Sequence, residues 1–312
     1  MNNSTKELID KIGSDLQSGA AELALKAITV YQHILNNLNH QNINDLKNEL
    51  TQASILLIKD QPGMAPIFNL CNQVLLTASQ DQTIDALKST CDDTLANVEK
   101  ELCANAQIIA DHVNPLIPPG EVVFVYSFSS TVITALLSAR SKGKYFRVAS
   151  TEARPSFEGR KLAKTLTQGD IEVMHTFDLA MGLVLPSCSI AFMGADCVGL
   201  PGVVNKVGSW LLAIACKEHG IPLYVLCDTA KFVNEDRLFE FEKHVRPGLE
   251  VWPDFEPTNK NLKILNHQYE LVSLNLITGF VTEKGIIKTE DLANNIKSKK
   301  VHEALQLEEA FL

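Results

Sequence analysis

The segment Pro115–Gly120 divides this chain into two parts with different hydrophobic periods. Before it, apolar residues recur at steps of three, four or seven, which is the spacing of one face of an α-helix. After it, short apolar runs rich in β-branched residues alternate with helix-like segments, as in a parallel sheet covered by helices. Because proline and glycine interrupt both patterns, we predict an all-helical domain at 1–118 and a second domain at 119–312.

The longest helical pattern of the first part has Ile84, Leu87, Cys91 and Leu95 on one face. Shorter patterns precede it, separated by asparagine-rich or proline-glycine breaks. Helices are therefore predicted at 23–35, 43–59, 67–77 and 81–112. Such helices form a bundle or layer, because each apolar stripe must be covered by a neighbour.

The apolar runs of the second part are typical of strands that are buried on both faces. They lie at 122–127, 145–150, 171–177, 188–193, 222–227 and 277–283. Helices are predicted between and after them, at 130–142, 156–168, 178–184, 203–219 and 289–308. The alternation predicts an α/β fold with a doubly wound, mostly parallel sheet. No G-x-G-x-x-G pattern follows the first strand, so an ordinary dinucleotide site is not expected.

Composition limits the classes of function. With 312 residues, 46% hydrophobic and 21% charged, the chain is long enough for two packed units. The net charge of −9, without a dense run of lysine and arginine, argues against direct nucleic-acid binding. No stretch reaches the roughly 20 apolar residues of a membrane span, and the polar N-terminus does not resemble a secretion signal. We therefore expect no membrane association and a cytoplasmic location.

Cysteine usage supports the same location. The seven cysteines form no C-x-x-C pair and mostly lie in apolar runs, as free thiols do in a reducing compartment. Their spacing relative to the eight histidines does not match the usual patterns of metal ligands. We expect neither a metal site nor a cofactor.

The most informative polar residues lie in the segment MGADCVGLPGVVNKVGS. Asp196 follows the strand at 188–193, and Asn205 and Lys206 fall at the start of the helix predicted at 203–219. Open α/β sheets bind ligands at such carboxyl ends of strands. Lys206 and a helix N-terminus would bind negative charge, and Asp196 a hydroxyl or proton, which suits a polyoxygenated anion. The simpler alternative is that Asp196 caps the helix and Lys206 is solvated.

Polar groups also follow four other predicted strands, among them Asp178 after the third. Ser127 and Ser129 come after the first strand, Arg154 after the second and Lys231 after the fifth. Since carboxyl ends of parallel strands meet at one edge of a sheet, these side chains are expected to converge with Asp196 on one crevice. Each also has a structural alternative: serine can cap a helix, arginine can pair with a nearby glutamate, and lysine can face solvent. Ser127 lacks the G-x-S-x-G elbow and a nearby histidine, which argues against a hydrolase nucleophile.

A family resemblance is carried by TEARPSFEGRKLA, MGADCVGLPGVVNKVGS, DTAKF and ITGFVTEKGII, in that order. They resemble the family that joins the regulatory alpha, beta and delta subunits of eukaryotic translation initiation factor two B with methylthioribose-1-phosphate isomerase and ribose-1,5-bisphosphate isomerase. The resemblance covers most of 120–290, with weaker support from DLQSGAAELALKA and QPGMAPIFNL. It implies a helical N-terminal domain, a Rossmann-like C-terminal domain, a dimer or larger assembly, and a sugar-phosphate pocket between the domains.

The resemblance also implies site positions. Asp196 and Ser127 stand at the catalytic positions; Gly19, Ala20, Ser129, Arg154, Asn205, Lys206 and Lys231 stand at substrate- or phosphate-binding positions. In the isomerases a cysteine and the aspartate move protons between C1 and C2 of the sugar, and Ser127 replaces that cysteine. A thiol with a pKa of about 8.5 exchanges protons near neutrality, whereas an unassisted serine hydroxyl does not. Ser18 stands where the isomerases carry an arginine, and Gln61 where ribose-1,5-bisphosphate isomerase carries another, which weakens or relocates one anion site.

Three functional hypotheses follow. The first is a protein similar to the initiation-factor alpha subunit, or to uncharacterised prokaryotic relatives of similar length, that binds a sugar phosphate or nucleotide phosphate in a regulatory role. The second is an aldose-1-phosphate isomerase with Asp196 as acid and base, in which Ser127 only orients the substrate or Cys197 supplies the thiol. The third is an interaction protein whose crevice is a relic. Expected partners are the phosphorylated ligand, further copies of the chain, and related regulatory subunits.

Overall fold

Helices form the first part of the fold. The computed structural model describes residues 1, 3–15, 18–37, 40–80, 83–234, 238, 241–242, 245–254, 261–296 and 300–306. Its first helices are α1 (Asn3–Gly13), α2 (Ala20–Asn36), α3 (Ile43–Asp60), α4 (Ala65–Ala78) and α5 (Ile84–Val113). The last four correspond to the predicted helices, and the predicted start at 81–82 lies outside the described residues. Within the described ranges, no helix combines the length and apolar character needed to cross a membrane.

Helix α1 is absent from the prediction. It is amphipathic, and Ile9 and Ile12 are buried in the same hydrophobic cluster as α2 to α5. The segment is mostly polar, so its short apolar stripe does not by itself predict a helix. Packing against the other helices stabilises it.

Side-chain caps determine where two of these helices begin. At the start of α3, the side chain of Asn42 accepts a hydrogen bond from the N–H of Asp45 at 3.0 Å. At the start of α5, Thr83 accepts one from Ala86 at 3.3 Å. Such bonds satisfy amide groups that lack a partner inside the helix. Helix α2 begins after Gly19 without a side-chain cap.

Among the described residues, the strands form a seven-stranded and a three-stranded sheet. They are β1 (Val122–Val125), β2 (Arg147–Thr151), β3 (Glu172–Thr176), β4 (Ile190–Met193), β5 (Cys197–Gly199), β6 (Gly202–Lys206), β7 (Leu223–Leu226), β8 (Tyr269–Ser273), β9 (Gly279–Thr282) and β10 (Gly285–Lys288). The larger sheet has the order β10-β9-β7-β4-β1-β2-β3 and is parallel except for the β9–β10 hairpin. The order runs outward in both directions from β1 and β4, which confirms the predicted doubly wound topology.

Helices cover both faces of the larger sheet. They are α6 (Ser130–Ser141), α7 (Glu158–Gln168), α8 (Met181–Val184), α9 (Ser209–His219) and α10 (Leu292–Asn295). In β1, Val123 and Val125 share a hydrophobic cluster with α6, α7 and the end of α5, whereas Val122 and Phe124 share one with α9. Both faces of this strand are therefore buried, which explains its unbroken apolar run.

The three-stranded sheet, in the order β5-β6-β8, shows that the helix predicted at 203–219 begins too early. Residues 202–206 form β6, and α9 begins only at Ser209. Strand β6 pairs antiparallel with β5 on one side and β8 on the other. The β-branched Val203 and Val204 favour this pairing, but β8 lies some 65 residues away and is missing from the prediction. Asn205 and Lys206 therefore end a strand and do not begin a helix.

The helix predicted at 289–308 is wrong. A 3₁₀ turn leads into the four-residue α10, and another 3₁₀ turn lies at Glu303–Leu305; residues 297–299 and 307–308 are outside the described residues. The side-chain amide of Asn72 on α4 donates to the carbonyl of Lys300 at 2.9 Å and accepts from the N–H of His302 at 2.8 Å. These bonds occupy backbone groups that a continuous helix would use itself.

Helix α5 belongs to both parts of the molecule. Leu87 and Leu95 pack in the helical bundle, whereas Ile109 and Val113 pack against the larger sheet. The chain then leaves the helix through a 3₁₀ turn at Asn114–Leu116. We retain the boundary between 118 and 119 as a proposal, with α5 as the helix that joins the two sides.

Candidate functional site

A cavity opens at the point where the larger sheet changes winding direction. It lies beyond the carboxyl ends of β1 and β4, where doubly wound sheets bind ligands. The helical part closes another side through the loop before α2 and through Gln61. With its open mouth the cavity contains about 880 Å³ of space.

All but one of the site residues that the resemblance implies line this cavity. They are Gly19, Ala20, Ser127, Ser129, Asp196, Asn205, Lys206 and Lys231. Arg154 is the exception: its side chain is exposed, and its guanidinium lies over the ring of Phe157 at 5.0 Å. Its backbone N–H donates to Asp178 at 2.9 Å, which anchors this loop to the end of β3. The loop thus directs Arg154 away from the cavity.

Asp196 lines the cavity three residues beyond the end of β4. Its N–H donates to the carbonyl of Val204 at 2.9 Å, and its carbonyl accepts from Ala65, the first residue of α4, at 3.3 Å. Burial raises the pKa of its carboxyl to about 6, Lys231 and Lys206 act in the opposite direction, and Glu158 adds to the increase. A carboxyl with this pKa can give or take a proton near neutrality.

The approach of β4 to the loop after β1 requires a glycine. A Cβ at Gly194 would lie 2.7 Å from Oγ and 2.8 Å from Cβ of Ser129. Ser129 is itself the N-cap of α6 and accepts from the N–H of Val132 at 3.4 Å. Gly194 therefore allows Asp196 to sit beside the start of α6.

Two buried lysines flank Asp196. Lys231 is 5% exposed and Lys206 is 3% exposed. The ammonium of Lys206 donates to the hydroxyl of Ser156 at 2.6 Å and pairs with Glu158 at 3.2 Å. By contrast, the ammonium of Lys231 has no hydrogen-bond or ion-pair partner among the described residues. The charge of Lys231 interacts with that of Asp196 without a hydrogen bond between them, so its ammonium can still donate to a bound anion.

Ser127 occupies a strained position just after β1. Its φ of 61° is in the left-handed region, where a non-glycine residue costs on the order of 1 kcal/mol. The side chain is buried, and its hydroxyl donates to Glu158 at 2.6 Å. The strained backbone aims this hydroxyl at the same carboxylate that holds Lys206.

The helical part contributes the first turn of α2. Gly19 and Ala20 line the cavity there, and Ser18 donates its N–H to the carboxylate of Asp15 at 3.0 Å. Lys26 donates to Asp15 at 2.6 Å and to Ser18 at 2.7 Å, so a lysine lies beside the position where the isomerases carry an arginine. The positive end of the helix is therefore already near a carboxylate.

Gln61 has a structural contact of its own. Its amide is buried and donates to the carbonyls of Ile12 at 2.7 Å and Asp15 at 3.3 Å. It thus attaches the end of α1 and the loop before α2 to α3. This bonding holds in place the wall of the cavity that comes from the helical part.

Asn205 and Cys197 lie in the small sheet, and their side chains have different surroundings. The amide of Asn205 donates to the hydroxyl of Ser209 at 2.8 Å, next to the start of α9. Cys197 is 1% exposed and belongs to the hydrophobic cluster of the helical bundle, where burial raises the pKa of its thiol. It lines a separate small apolar pocket with Met64 and Phe68. Cys197 therefore does not face the cavity of Asp196.

Sequence reasoning missed Glu158 and Tyr269. Glu158 is the first residue of α7 and lies within the motif TEARPSFEGRKLA. Its position in that motif, at the start of a predicted helix, could have identified it as a candidate site residue. Tyr269 begins β8 opposite Lys206, and nothing in the apolar spacing marks that strand. Both line the cavity. The site can therefore bind an anion at its lysines and hydroxyls at its carboxylates, with one carboxyl ready for proton transfer.

Sequence comparisons identify relatives with two kinds of name. The family model described as "Initiation factor 2 subunit family" matches residues 16–289. A putative translation initiation factor eIF-2B subunit 2-like protein of Pyrococcus horikoshii is 31% identical over 282 residues, which cover 90% of this chain and 95% of the relative. The ribose 1,5-bisphosphate isomerase of Pyrococcus furiosus is 27% identical over 289 residues, which cover 90% of this chain and 89% of the isomerase.

Solved structures agree with the fold described above. The crystal structure of the Pyrococcus horikoshii translation initiation factor eIF-2B matches with a TM-score of 0.76 and 29% identity, over 92% of this chain and 98% of that one. The 5-methylthioribose 1-phosphate isomerase of the same organism has a TM-score of 0.76 at 16% identity, over 93% of this chain and 87% of that one, a likeness of fold alone. Because the family model spans most of both parts, this chain belongs to the initiation factor 2 subunit family.

Proposed function

We propose that this chain binds a sugar phosphate or a nucleotide phosphate in the cavity and acts as a regulatory member of its family, similar to the alpha subunit of initiation factor 2B. The observation that carries the proposal is Lys231, a buried lysine beside Asp196 whose ammonium has no hydrogen-bond or ion-pair partner among the described residues. A phosphate would neutralise this ammonium and accept its hydrogen bonds. Asp196 and the first turn of α2 would then contact hydroxyl groups of the ligand.

The surroundings of Asp196 favour binding over isomerisation. Moving a proton between two sugar carbons needs a second group that exchanges protons near neutrality. Ser127 stands at that position and its hydroxyl is held by Glu158, while Cys197 is buried in the helical bundle. The thiol that the isomerases use therefore has no counterpart beside Asp196 among the described residues.

Calorimetric titration tests the proposal directly. The probes are ribose phosphate, fructose phosphate and nucleoside monophosphates. Each is titrated into the wild type and into the variants Lys231→Ala and Lys206→Ala. We expect binding to the wild type and a loss of roughly tenfold to a hundredfold in affinity in Lys231→Ala, because each charge-assisted hydrogen bond contributes about 1.5–3 kcal/mol. Lys164→Ala, at an exposed position of α7, is the matched control and should bind as the wild type does. The proposal would be contradicted if none of these phosphates bound, or if both lysine variants bound them with the affinity of the wild type.

An aldose-1-phosphate isomerase is the second candidate, and the pKa of Asp196 near 6 is the observation that favours it. One sequence relative of this chain is named ribose 1,5-bisphosphate isomerase, and one structural neighbour is named 5-methylthioribose 1-phosphate isomerase. Turnover of aldose 1-phosphates by the wild type, lost in Asp196→Asn, would replace the first proposal by this one. No turnover across a panel of aldose 1-phosphates would eliminate it.

We further propose a homodimer or larger assembly of this chain, with related regulatory subunits as further partners. One structural neighbour is a tetrameric eIF2B beta and delta complex. On this chain, Leu179 and Leu183 near α8 and Trp210 and Leu211 on α9 expose large apolar side chains. Light scattering after size exclusion would give the assembly state, and Leu183→Lys with Leu211→Lys should shift it towards the monomer.

The free state of all seven cysteines suits a cytoplasmic location.

A further inference from the structure

The carboxylate of Glu158 is itself an anion held inside the cavity. One oxygen accepts from the hydroxyl of Ser127 at 2.6 Å. The other accepts from the ammonium of Lys206 and from the hydroxyl of Ser156, each at 3.2 Å. These are donor groups that a phosphate would otherwise use. Glu158 therefore already pairs with one of the two buried lysines, Lys206, and competes with a phosphate for it.

The remaining charges of the cavity wall leave one buried position for a phosphate. Four acidic residues and three lysines line the described part of the cavity: Asp15, Glu22, Glu158, Asp196, Lys161, Lys206 and Lys231. Lys161 is exposed at the wall, with its ammonium over the ring of Phe128 at 4.1 Å. Among the described residues, Lys231 is thus the buried lysine of the cavity that is not already paired.

The opposite end of the cavity does not provide a second phosphate position. There Asp15 and Glu22 both pair with Lys26, at 2.6 and 3.1 Å. Asp15 also accepts the N–H of Ser18, so a carboxylate already lies against the positive end of α2. A second phosphate placed at this end would meet two carboxylates, whereas neutral hydroxyl groups could bond to them.

We propose that Glu158 is a specificity-determining residue that restricts the cavity to ligands with one phosphate group. The inference rests on the proposed function, since it concerns the ligand of the same cavity. The phosphate binds at Lys231, and the uncharged, hydroxyl-bearing part of the ligand extends toward α2. A bisphosphate is rejected because its second phosphate meets either Glu158 or the pair of Asp15 and Glu22.

Titration calorimetry with two probes that differ by one phosphate, ribose 5-phosphate and ribose 1,5-bisphosphate, tests this proposal. We expect the wild type to bind the monophosphate at least about tenfold more tightly. Glu158→Gln keeps the size of the side chain and removes its charge. In this variant the affinity for the bisphosphate should rise about tenfold or more, so the ratio of monophosphate to bisphosphate affinity should decrease. Glu152→Gln is the matched control: it removes a charge from the segment just before α7, where Glu152 pairs with Arg160 away from the cavity lining, and it should retain the wild-type preference.

The possible results separate this inference from the proposed function. A wild type that binds the monophosphate with a preference unchanged in Glu158→Gln would overturn the role of Glu158 alone. A wild type that prefers the bisphosphate would overturn it as well. A wild type that binds neither these probes nor the other phosphates would overturn both proposals. Thermal melting verifies that the variants are folded, and Glu158→Ala replaces Glu158→Gln if the latter does not melt cooperatively.

Discussion

The side chain of Asn69 on α4 donates hydrogen bonds to the carbonyls of Ala230, at 2.6 Å, and Phe232, at 3.1 Å. These two carbonyls flank Lys231 in the chain. The helical part therefore holds the backbone of the residue whose ammonium faces the cavity. The first N–H of α4 also reaches the carbonyl of Asp196, so one helix contacts both sides of the proposed phosphate position.

Loss of this contact should reduce ligand affinity. In Asn69→Ala, the segment around Lys231 loses two hydrogen bonds, and we expect about threefold to tenfold weaker binding of a sugar phosphate because a site depends on its supporting contacts. The free energy of unfolding should fall by about 1–2 kcal/mol. Calorimetry and urea denaturation measure the two effects. Asn97→Ala, at an exposed position of α5, is the control, and equal behaviour of the two variants would contradict the role of Asn69.

Asp196 should make stability depend on pH. Its folded-state pKa of about 6 exceeds the ordinary value of 3.8, so its contribution is greatest when the carboxyl is protonated. That contribution is fully present below the ordinary pKa and is lost as the pH rises through about 6. Relative to Asp196→Asn, which does not titrate, the wild type should lose about 2 kcal/mol of unfolding free energy between pH 4 and pH 7. Urea denaturation at several pH values measures the difference, and parallel curves for the two proteins would disprove it.

Thiol reactivity should identify Cys103 alone. It is exposed on α5, whereas the other six cysteines are buried, and burial raises the pKa of five of them, Cys197 included. Ellman's reagent should therefore modify about one thiol per native chain rapidly, and Cys103→Ser should abolish that phase. A fast phase that persists in Cys103→Ser and maps to Cys197 would instead restore Cys197 as a source of catalytic thiol.

Gly194→Ala should destabilise the protein and distort the site. The added methyl group would lie 2.7 Å from the hydroxyl oxygen of Ser129, so the loop after β1 must shift. We expect a loss of about 1–3 kcal/mol in unfolding free energy and weaker ligand binding. At Gly182 on α8 an added Cβ meets no atom within 4 Å, so Gly182→Ala is the matched control and should be neutral or slightly stabilising. Similar losses in both variants would show that contact with Ser129 is not the cause.

Local patterns were sufficient for most of the architecture. Unbroken apolar runs such as 188–193 identify strands buried on both faces, and their alternation with helices predicts the doubly wound sheet confirmed by its strand order. The crevice at the ends of β1 and β4 follows from that topology, which is why residues as distant as Ser127 and Lys231 could be expected to meet. These inferences succeed because helix and strand periods are local properties of the chain.

Long-range pairing accounts for the errors. Val203 and Val204 form a strand because β8 supplies partners from a distant part of the chain. The segment after α10 is held away from helical geometry by bonds from Asn72, more than 200 residues earlier. No window of local sequence contains such partners, so apolar spacing alone assigned helices at both places.

By itself, the sequence determined the fold class, the family and the chemical types gathered at the strand ends, because these depend on local periods and on an ordered set of motifs. Only the tertiary structure decided which of those groups remain available to a ligand. Lys206 is paired with Glu158, Lys231 is held by its backbone and left without a partner among the described residues, and Arg154 is directed to the surface. The physical reason is that the effect of a charge depends on its distance to other charges and on its burial, and both arise only when distant segments pack together.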